Sequence, residues 1–227
     1  EVRGRALALA ARLLECSADD LELADGTVAV RGAPDRRIPL GELAAYAQSP
    51  FPGRPHPEGV PVGLEATHYF TPSAVTYSNG AHAAVVEVDP ETGAVRVRRY
   101  AMVHDCGNII NPLVLEGQLH GGFAGGIGNA LFEEVVYDAN GQLLTASFLD
   151  YLIPTADQVP GVRLAHLCTP SPLNPLGVKG AGENAIIAVP ACINNAVADA
   201  LGVAADETPL SPAKVRALLD QRLSVQD

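Results

Sequence analysis

The stretch that decides the fold runs from His104 to Gly122 and reads HDCGNIINPLVLEGQLHGG. Asn111 is a residue type that accepts a hydrogen bond at the start of a helix, and Pro112 suits the first helical position. The sequence therefore predicts a loop that ends at Asn111 and a helix that begins at Pro112.

The predicted helix is rich in glycine, with six glycines at positions 117, 121, 122, 125, 126 and 128. Each glycine inside a helix costs about 1 kcal/mol relative to alanine. Two explanations stay open: close packing of the helix against a neighbour, and close approach of its backbone to a bulky ligand. The same stretch carries Gln118, which burial preferences alone would place on the surface.

His104, Asp105 and Cys106 are three potential metal ligands in a row. Neighbouring residues of a strand point to opposite faces of a sheet, so their side chains cannot converge on one ion. We therefore expect no metal ligation by this chain.

A second informative stretch runs from Thr169 to Asn184 and reads TPSPLNPLGVKGAGEN. Gly180 and Gly182 superficially match a dinucleotide fingerprint, but the prolines before them exclude the strand that such a loop must follow. Instead, the two glycines deliver a carboxylate, Glu183, at a junction between loop and helix. A carboxylate held against the apolar run 185–189 can serve as a general base, and a solvated loop glutamate is the alternative.

The rest of the chain predicts an α+β fold with mixed sheets and packed helices, because strands and helices mix without regular βαβ alternation. Residues 1–62 predict a helix, a hairpin turning at Asp25-Gly26, a short helix, and a Pro/Gly-rich connection; these lie at 3–16, 21–30, 40–47 and 49–63. Residues 63–227 form the second predicted domain. It holds a hairpin of strands 83–88 and 95–103, two strands joined at 138–141, and helices that begin at Pro190 and at Ser211-Pro212.

Composition excludes several classes of function. The formal charge is −11 with no basic stripe, which argues against nucleic acid as a partner. No apolar run approaches the roughly 20 residues of a membrane-spanning segment, and we expect none. The four cysteines are scattered without a C-x-x-C pair, so we expect free thiols in the cytoplasm and no zinc or iron–sulfur site in this chain.

Taken together, these blocks resemble the C-terminal part of the molybdenum subunit in the xanthine oxidase, aldehyde oxidoreductase and aerobic carbon monoxide dehydrogenase family. The resemblance rests on D-C-G-x-x-x-N-P with E-G-Q-x-H-G-G, and on T-P-S-P-x-x-P-x-G-x-K-G-x-G-E about sixty residues later. The segments 146–156 and 189–200 fit the same family. The resemblance covers most of residues 65–202.

The resemblance implies roles for individual residues. Glu183 matches the glutamate that acts as a general base beside molybdenum, and Gln118 matches a glutamine that hydrogen-bonds the pterin cofactor. Lys179, Gly180, Ala181 and Gly182 match the loop that passes the cofactor and the metal. The implied cofactor is molybdopterin cytosine dinucleotide with molybdenum.

The implied activity is that of a molybdenum hydroxylase. It would oxidise the C–H bond of an aldehyde or N-heterocycle, or carbon monoxide, with water as the oxygen source. Its partners would be the remainder of the molybdenum subunit, an iron–sulfur subunit and a flavin subunit with FAD. Because that subunit is far longer, we expect one part of a split subunit or an excised portion, inactive alone. The alternative is a cofactor-free structural or assembly module with the same fold.

Overall fold

The computed structural model describes residues 1–48, 58–60 and 62–225, with side chains as far as Arg222. The chain forms two compact units, Glu1–Thr71 and Pro72–Asp227. The division predicted between residues 62 and 63 lies slightly before this boundary. Most of the predicted connection at 49–63 lies outside the described residues.

The first unit packs two helices on a three-stranded antiparallel sheet of order β1-β2-β3. Its elements are α1 (Val2–Leu13), β1 (Leu21–Ala24), β2 (Thr27–Val30), β3 (Ala33–Pro39) and α2 (Leu40–Ala47). The two predicted helices and the hairpin are confirmed. The strand β3 was missed because Ile38 is its one buried residue, so the sequence shows no alternation there.

The second unit places helices against a mixed sheet whose central strand is β5. Its elements are β4 (Asn79–Val88), β5 (Val95–Asp105), α3 (Pro112–Leu131), β6 (Val162–Leu167), α4 (Asn184–Leu201) and α5 (Pro212–Val225). The strand β5 pairs antiparallel with β4 and parallel with β6. Tyr100 and Met102 of β5 share one core with Phe123 of α3 and with Val189 and Ile193 of α4. This arrangement confirms the α+β class.

The predicted helix starts have mixed outcomes. The side chain of Asn111 accepts a hydrogen bond from the amide of Val114 at 3.2 Å, which confirms the cap of α3. The start of α5 at Pro212 is also confirmed. The start predicted at Pro190 is wrong, because α4 begins at Asn184 and contains Pro190.

Helix α4 continues through its proline because a full stripe of its surface is buried. The buried residues recur every four positions and are Ala185, Val189, Ile193, Val197 and Leu201. Packing along this stripe offsets the one backbone hydrogen bond that Pro190 cannot donate. The helix ends at Gly202, which has φ +69° and is the stop that the sequence predicts.

By length and composition, α4 is also the one helix in the described residues that could cross a membrane. Its regularly spaced buried stripe is the pattern of a helix packed inside a folded domain.

The predicted strands on either side of residues 138–141 are wrong. Asp138 does form the turn, since its Oδ1 accepts hydrogen bonds from the amides of Asn140 and Gln142, both at 2.8 Å. The flanking segments then meet in the single bridge between Tyr137 and Leu143. These segments carry exposed apolar side chains and lack a neighbouring strand in the described chain, so the pairing stops there.

The structure divides the glycines of α3 between the two explanations that the sequence left open. A Cβ on Gly122 would lie 2.8 Å from Cβ of Ala185, and one on Gly126 would lie 2.4 Å from Cβ of Val189. These glycines let α3 and α4 approach closely. At Gly117 and Gly121, by contrast, an added Cβ would meet nothing within 4 Å, so the helix backbone there is bare.

We predict that Gly126→Ala lowers the free energy of unfolding by about 1–3 kcal/mol, because the added methyl overlaps Val189. Gly117→Ala is the matched control in the same helix. It should raise that free energy by up to about 1 kcal/mol, since alanine favours the helix and meets no neighbour. Urea unfolding of the purified protein measures both values. A Gly126→Ala protein as stable as the control would contradict the packing role.

Candidate functional site

The predicted site residues come together where the end of β5 and the start of α3 meet the loop that precedes α4. Two backbone hydrogen bonds align this loop with the end of β5: from the Lys179 amide to the Cys106 carbonyl at 2.7 Å, and from the Asn108 amide to the Gly177 carbonyl at 3.1 Å. Gly107 and Val178 form an antiparallel bridge between them. The stretch Thr169–Lys179, called the arm below, is therefore bound to the end of the sheet at Gly177–Lys179, while its residues 172–176 form turns.

Glycine is required twice where this arm meets the sheet. Gly107 has φ +69° and Gly177 has φ +66°, a backbone region that side chains disfavour. A Cβ on Gly107 would also lie 2.1 Å from the carbonyl oxygen of Gly177. The two segments can pass this closely because both positions lack a side chain.

Asp105 connects the arm to the sheet. Its Oδ1 accepts hydrogen bonds from the amides of Gly107 and Thr169 at 2.9 and 3.1 Å, and from the Lys179 ammonium at 3.3 Å. The Lys179 and Asp105 side chains are 10% and 9% exposed, so this ion pair is buried. Hydrogen bonding from Thr169 first, together with Gly107 and Lys179, holds the pKa of Asp105 well below its ordinary value.

Sequence reasoning treated Asp105 only as a rejected metal ligand and missed this role. The partners lie 64 and 74 residues further along the chain, and no local pattern pairs them. The available signal was chemical: Lys179 is a lone lysine in an otherwise uncharged arm, and a cation there needs a carboxylate.

Gln118 and the loop that carries Glu183 lie side by side. A Cβ on Gly182 would lie 3.5 Å from Nε2 of Gln118. The amide of Gly180 donates to the carbonyl of Thr76 at 3.1 Å, which holds the loop near the start of β4. The structure thus brings Gln118 next to the loop of Lys179, Gly180, Ala181 and Gly182, with Glu183 at its end.

Glu183 is exposed at the N-terminus of α4 and makes no capping hydrogen bond with its side chain. The apolar run after it does not form the wall that the sequence suggests. Helical periodicity turns Ala185 and Val189 into the core, while Ile187 points to solvent. The carboxylate is consequently presented at the positive end of the helix dipole, open to a bound molecule.

The surface around Gln118 is unusually bare. Gly117 and Gly121 expose helix backbone on either side of it, and a ligand could contact that backbone directly. Within the described part of the chain, no hydrogen bond engages the Gln118 amide, and the residue is exposed. Ile110, Leu113 and Val114 are 68%, 80% and 59% exposed at the same end of α3.

His104 lies buried on the helix-facing side of β5. Neither ring nitrogen has a hydrogen-bond partner among the described residues. The ring stands edge-on to that of His166, with 6.3 Å between centroids. Burial first, and then the neighbouring His166, lower the pKa of His104 from its ordinary 6.5.

A large cleft in the second unit lies elsewhere. It measures about 910 Å³ and is lined by residues that include Val85, Arg98, Phe132 and Leu210. None of the predicted site residues lines it. Gln118 and Glu183 are instead both exposed on the surface of the described structure.

Comparison with known proteins places the chain in a family. The family model of the molybdopterin cofactor-binding domain matches residues 1–160. The large subunit of nicotine 6-hydroxylase from Paenarthrobacter nicotinovorans is 43% identical over 94% of this chain. The large chain of carbon monoxide dehydrogenase from Afipia carboxidovorans is 37% identical over 88% of it. Quinoline 2-oxidoreductase from Pseudomonas putida 86 superposes with a TM-score of 0.82 at 44% identity, covering 97% of this chain.

The chain therefore belongs to the molybdopterin cofactor-binding domain family. Within it, the chain corresponds to part of the molybdenum subunit of xanthine oxidase-type proteins, as the sequence motifs predicted. It spans 26% and 24% of the two curated relatives and 28% of the quinoline oxidoreductase chain. About three quarters of each relative therefore has no counterpart here.

We predict that the buried His104 makes the fold sensitive to acid. Its pKa in the folded protein lies below 6.5, so the unfolded chain binds the proton more readily. Stability should fall as the pH drops below about 6.5 and stop falling below the folded-state pKa. His104→Met should weaken this dependence, and His82, whose pKa burial also lowers, should retain part of it. Unfolding free energies measured between about pH 5 and 7.5 test this, and an unchanged slope in His104→Met would contradict it.

Proposed function

We propose that this chain forms one wall of the active site of a molybdenum hydroxylase, with Glu183 as the general base and Gln118 as a cofactor ligand. The observation that supports the proposal is that Gln118 lies beside Gly182, the residue before Glu183: a Cβ built on Gly182 would lie 3.5 Å from Nε2 of Gln118, and Gln118 and Glu183 are both exposed. The two residues are far apart in sequence and meet through the packing of α3 on α4.

The residues present fit a large polar cofactor. The Gln118 amide offers a donor and an acceptor, as a pterin or a phosphate-linked nucleotide requires. Gly117 and Gly121 leave the backbone of α3 exposed, so a ligand could approach it there without meeting a side chain. Lys179 turns its ammonium inward to Asp105, and the amides of Lys179 and Gly180 already donate to Cys106 and Thr76. Among the described residues of this loop, it is the amides of Ala181 and Gly182 that would be free to face the cofactor.

When bound, the molybdenum cofactor would supply the redox and Lewis-acid chemistry. The proposed role of this chain is to present the carboxylate of Glu183 as a proton acceptor. Glu183 stands at the end of a loop tied to the sheet by Lys179 and Gly180, so its backbone has a defined position. A well-placed general base contributes about 10²–10⁴-fold to a rate.

The finer features of the function rest on the named relatives. Nicotine 6-hydroxylase and quinoline 2-oxidoreductase support an N-heterocycle as substrate, and carbon monoxide dehydrogenase supports carbon monoxide. The proposal also includes the cytosine dinucleotide form of the cofactor, water as the oxygen source, electron transfer to iron–sulfur and flavin subunits, and a cytoplasmic location. The cysteines in the structure are all free, which is compatible with a reducing compartment.

The remainder of a molybdenum subunit is the proposed partner of the bare surface. Ile110, Leu113 and Val114 expose apolar side chains at the start of α3, the helix that also carries Gln118. Contiguous apolar surface of this kind marks an interface. The chain spans only about a quarter of each relative, and their additional length offers the missing wall. The alternative is a cofactor-free structural or assembly module, and metal and nucleotide analysis of the native complex distinguishes the two.

We predict that Glu183→Gln, made in the complete enzyme complex, lowers turnover per molybdenum by about 10²–10⁴-fold and leaves molybdenum content nearly unchanged. Glutamine keeps the volume and hydrogen bonding of glutamate and loses proton acceptance alone. Gln118→Ala should show the opposite pattern, weaker cofactor retention by about 1 kcal/mol with a smaller effect on turnover per metal. Metal analysis and steady-state kinetics distinguish the two. Turnover above about a tenth of wild type in Glu183→Gln would exclude it as the base.

We predict that Leu113→Asp weakens association of this chain with the rest of the molybdenum subunit, because it places a charge in an apolar interface. Glu91→Lys, in the exposed hairpin turn between β4 and β5, is the control and should leave association unchanged. Co-purification of the two parts and their molybdenum content give the readout. The chain alone should hold no stoichiometric molybdenum, and metal retained by it would contradict the shared site.

A further inference from the structure

The position of Glu183 depends on the packing of α4, which begins at the next residue, and on a few attachments of the loop before it. Within the described residues, the segment from Lys179 to Asn184 is held by the Lys179 backbone and ammonium, by the Gly180 amide on Thr76, and by the Asn184 side chain on the carbonyl of Asn79 at 3.4 Å. Between these points lie Ala181 and Gly182. Glycine leaves that stretch conformationally free, so the end points determine where Glu183 stands.

Asp105 provides the one charged attachment among them. A single oxygen, Oδ1, receives the amide of Thr169 at the start of the arm and the ammonium of Lys179 at its end. Both ends of the arm are therefore tied to one atom on β5. The third donor, the Gly107 amide, fixes that carboxylate to its own strand.

Because the pair is buried, the Lys179 ammonium requires the ionised carboxylate of Asp105 as its partner. An unpaired ammonium is costly to bury, so Lys179 stays inside only while Asp105 is ionised beside it. Without that charge, the buried ammonium would lose its partner, and the loop would be held at this end only by the backbone hydrogen bonds of Lys179 and Gly180. The carboxylate is stable as an anion because the amides of Gly107 and Thr169 solvate it.

We infer that Asp105 is a positioning residue for the general base: through Lys179 it fixes the loop on which Glu183 stands. The inference rests on the proposed function, since it concerns the base of the same site. Asp105 contacts neither substrate nor cofactor in this scheme. Its effect passes through the Lys179 backbone and the short stretch of chain that leads to Glu183.

The test uses the complete enzyme complex with Asp105→Asn, which preserves shape and removes the charge. Turnover per molybdenum should fall on the order of 10²-fold, as expected when a reacting group is displaced by about 1 Å, with KM unchanged. Amide hydrogen exchange in peptides that span residues 180–184 should become faster. In a Glu183→Gln background, Asp105→Asn should cause no further loss of turnover, because a base that is absent cannot be displaced.

Two further variants keep the test decisive if Asp105→Asn fails to fold. Lys179→Met leaves Asp105 bonded to both amides and releases only the loop, so it should reproduce the kinetic and exchange effects. Lys179→Arg keeps a charged partner and should retain more turnover than Lys179→Met. The control is Glu134→Gln, which breaks the more exposed ion pair with Lys214 at 2.8 Å and should change none of these quantities.

The outcomes distinguish the positioning role of Asp105 from the proposed general-base role of Glu183. Multiplicative losses in the double variant, or unchanged exchange of the loop in Asp105→Asn, would overturn the positioning role while Glu183 remains the base. Full turnover in Glu183→Gln would instead contradict the proposed function. The exchange measurement then still decides whether Asp105 anchors the loop.

Discussion

The buried ion pair between Asp105 and Lys179 is the constraint on which the path of the arm before α4 depends. It connects the end of the central strand to an arm more than sixty residues away, at a depth where an unpaired charge is costly. The arm adds little hydrophobic burial of its own, since most residues from Cys168 to Leu176 are not buried. Its path is set by polar contacts: the Asp105 carboxylate, the backbone bridge at Gly107, and the side chain of Asn174 on the backbone of Val178.

The second determinant is the close packing of α3 on α4. Gly122 and Gly126 remove side chains where Ala185 and Val189 must fit, so the two helices meet at backbone distance. This contact sets the direction in which α4 begins, and therefore where Glu183 lies relative to Gln118. The same helix thus uses glycine for two purposes: packing on its core side and exposure of backbone on its solvent side. At each of these positions, glycine lowers the stability of the helix relative to alanine.

The exposure of the candidate site agrees with its proposed role as one wall of a shared cavity. The proposed partner would cover the bare helix backbone at Gly117 and Gly121, the carboxylate of Glu183, and the exposed apolar residues at the start of α3. A site shared between two walls gains a water-excluded interior only when both are present, and electrostatic interactions strengthen in such an interior. In the proposed function, the chain would supply one wall whose loop is attached to the sheet before any cofactor binds, an arrangement that favours preorganised catalysis.

The sequence by itself determined the elements whose signals are local. Residue types at fixed offsets predicted the Asn111 cap, the Gly202 stop, the hairpin of β4 and β5, and the helix at Pro212. The quoted motifs identified the family and the candidate residues. The helix start predicted at Pro190 was wrong because the burial of a whole stripe of α4 outweighs one lost hydrogen bond. Rules based on local sequence do not include this balance. Only the tertiary structure decided which glycines of α3 pack and which stay bare, that Lys179 points inward, and that Gln118 meets Gly182. Each of these depends on residues far apart in the chain becoming neighbours, and such contacts have no signature in the spacing of a single sequence.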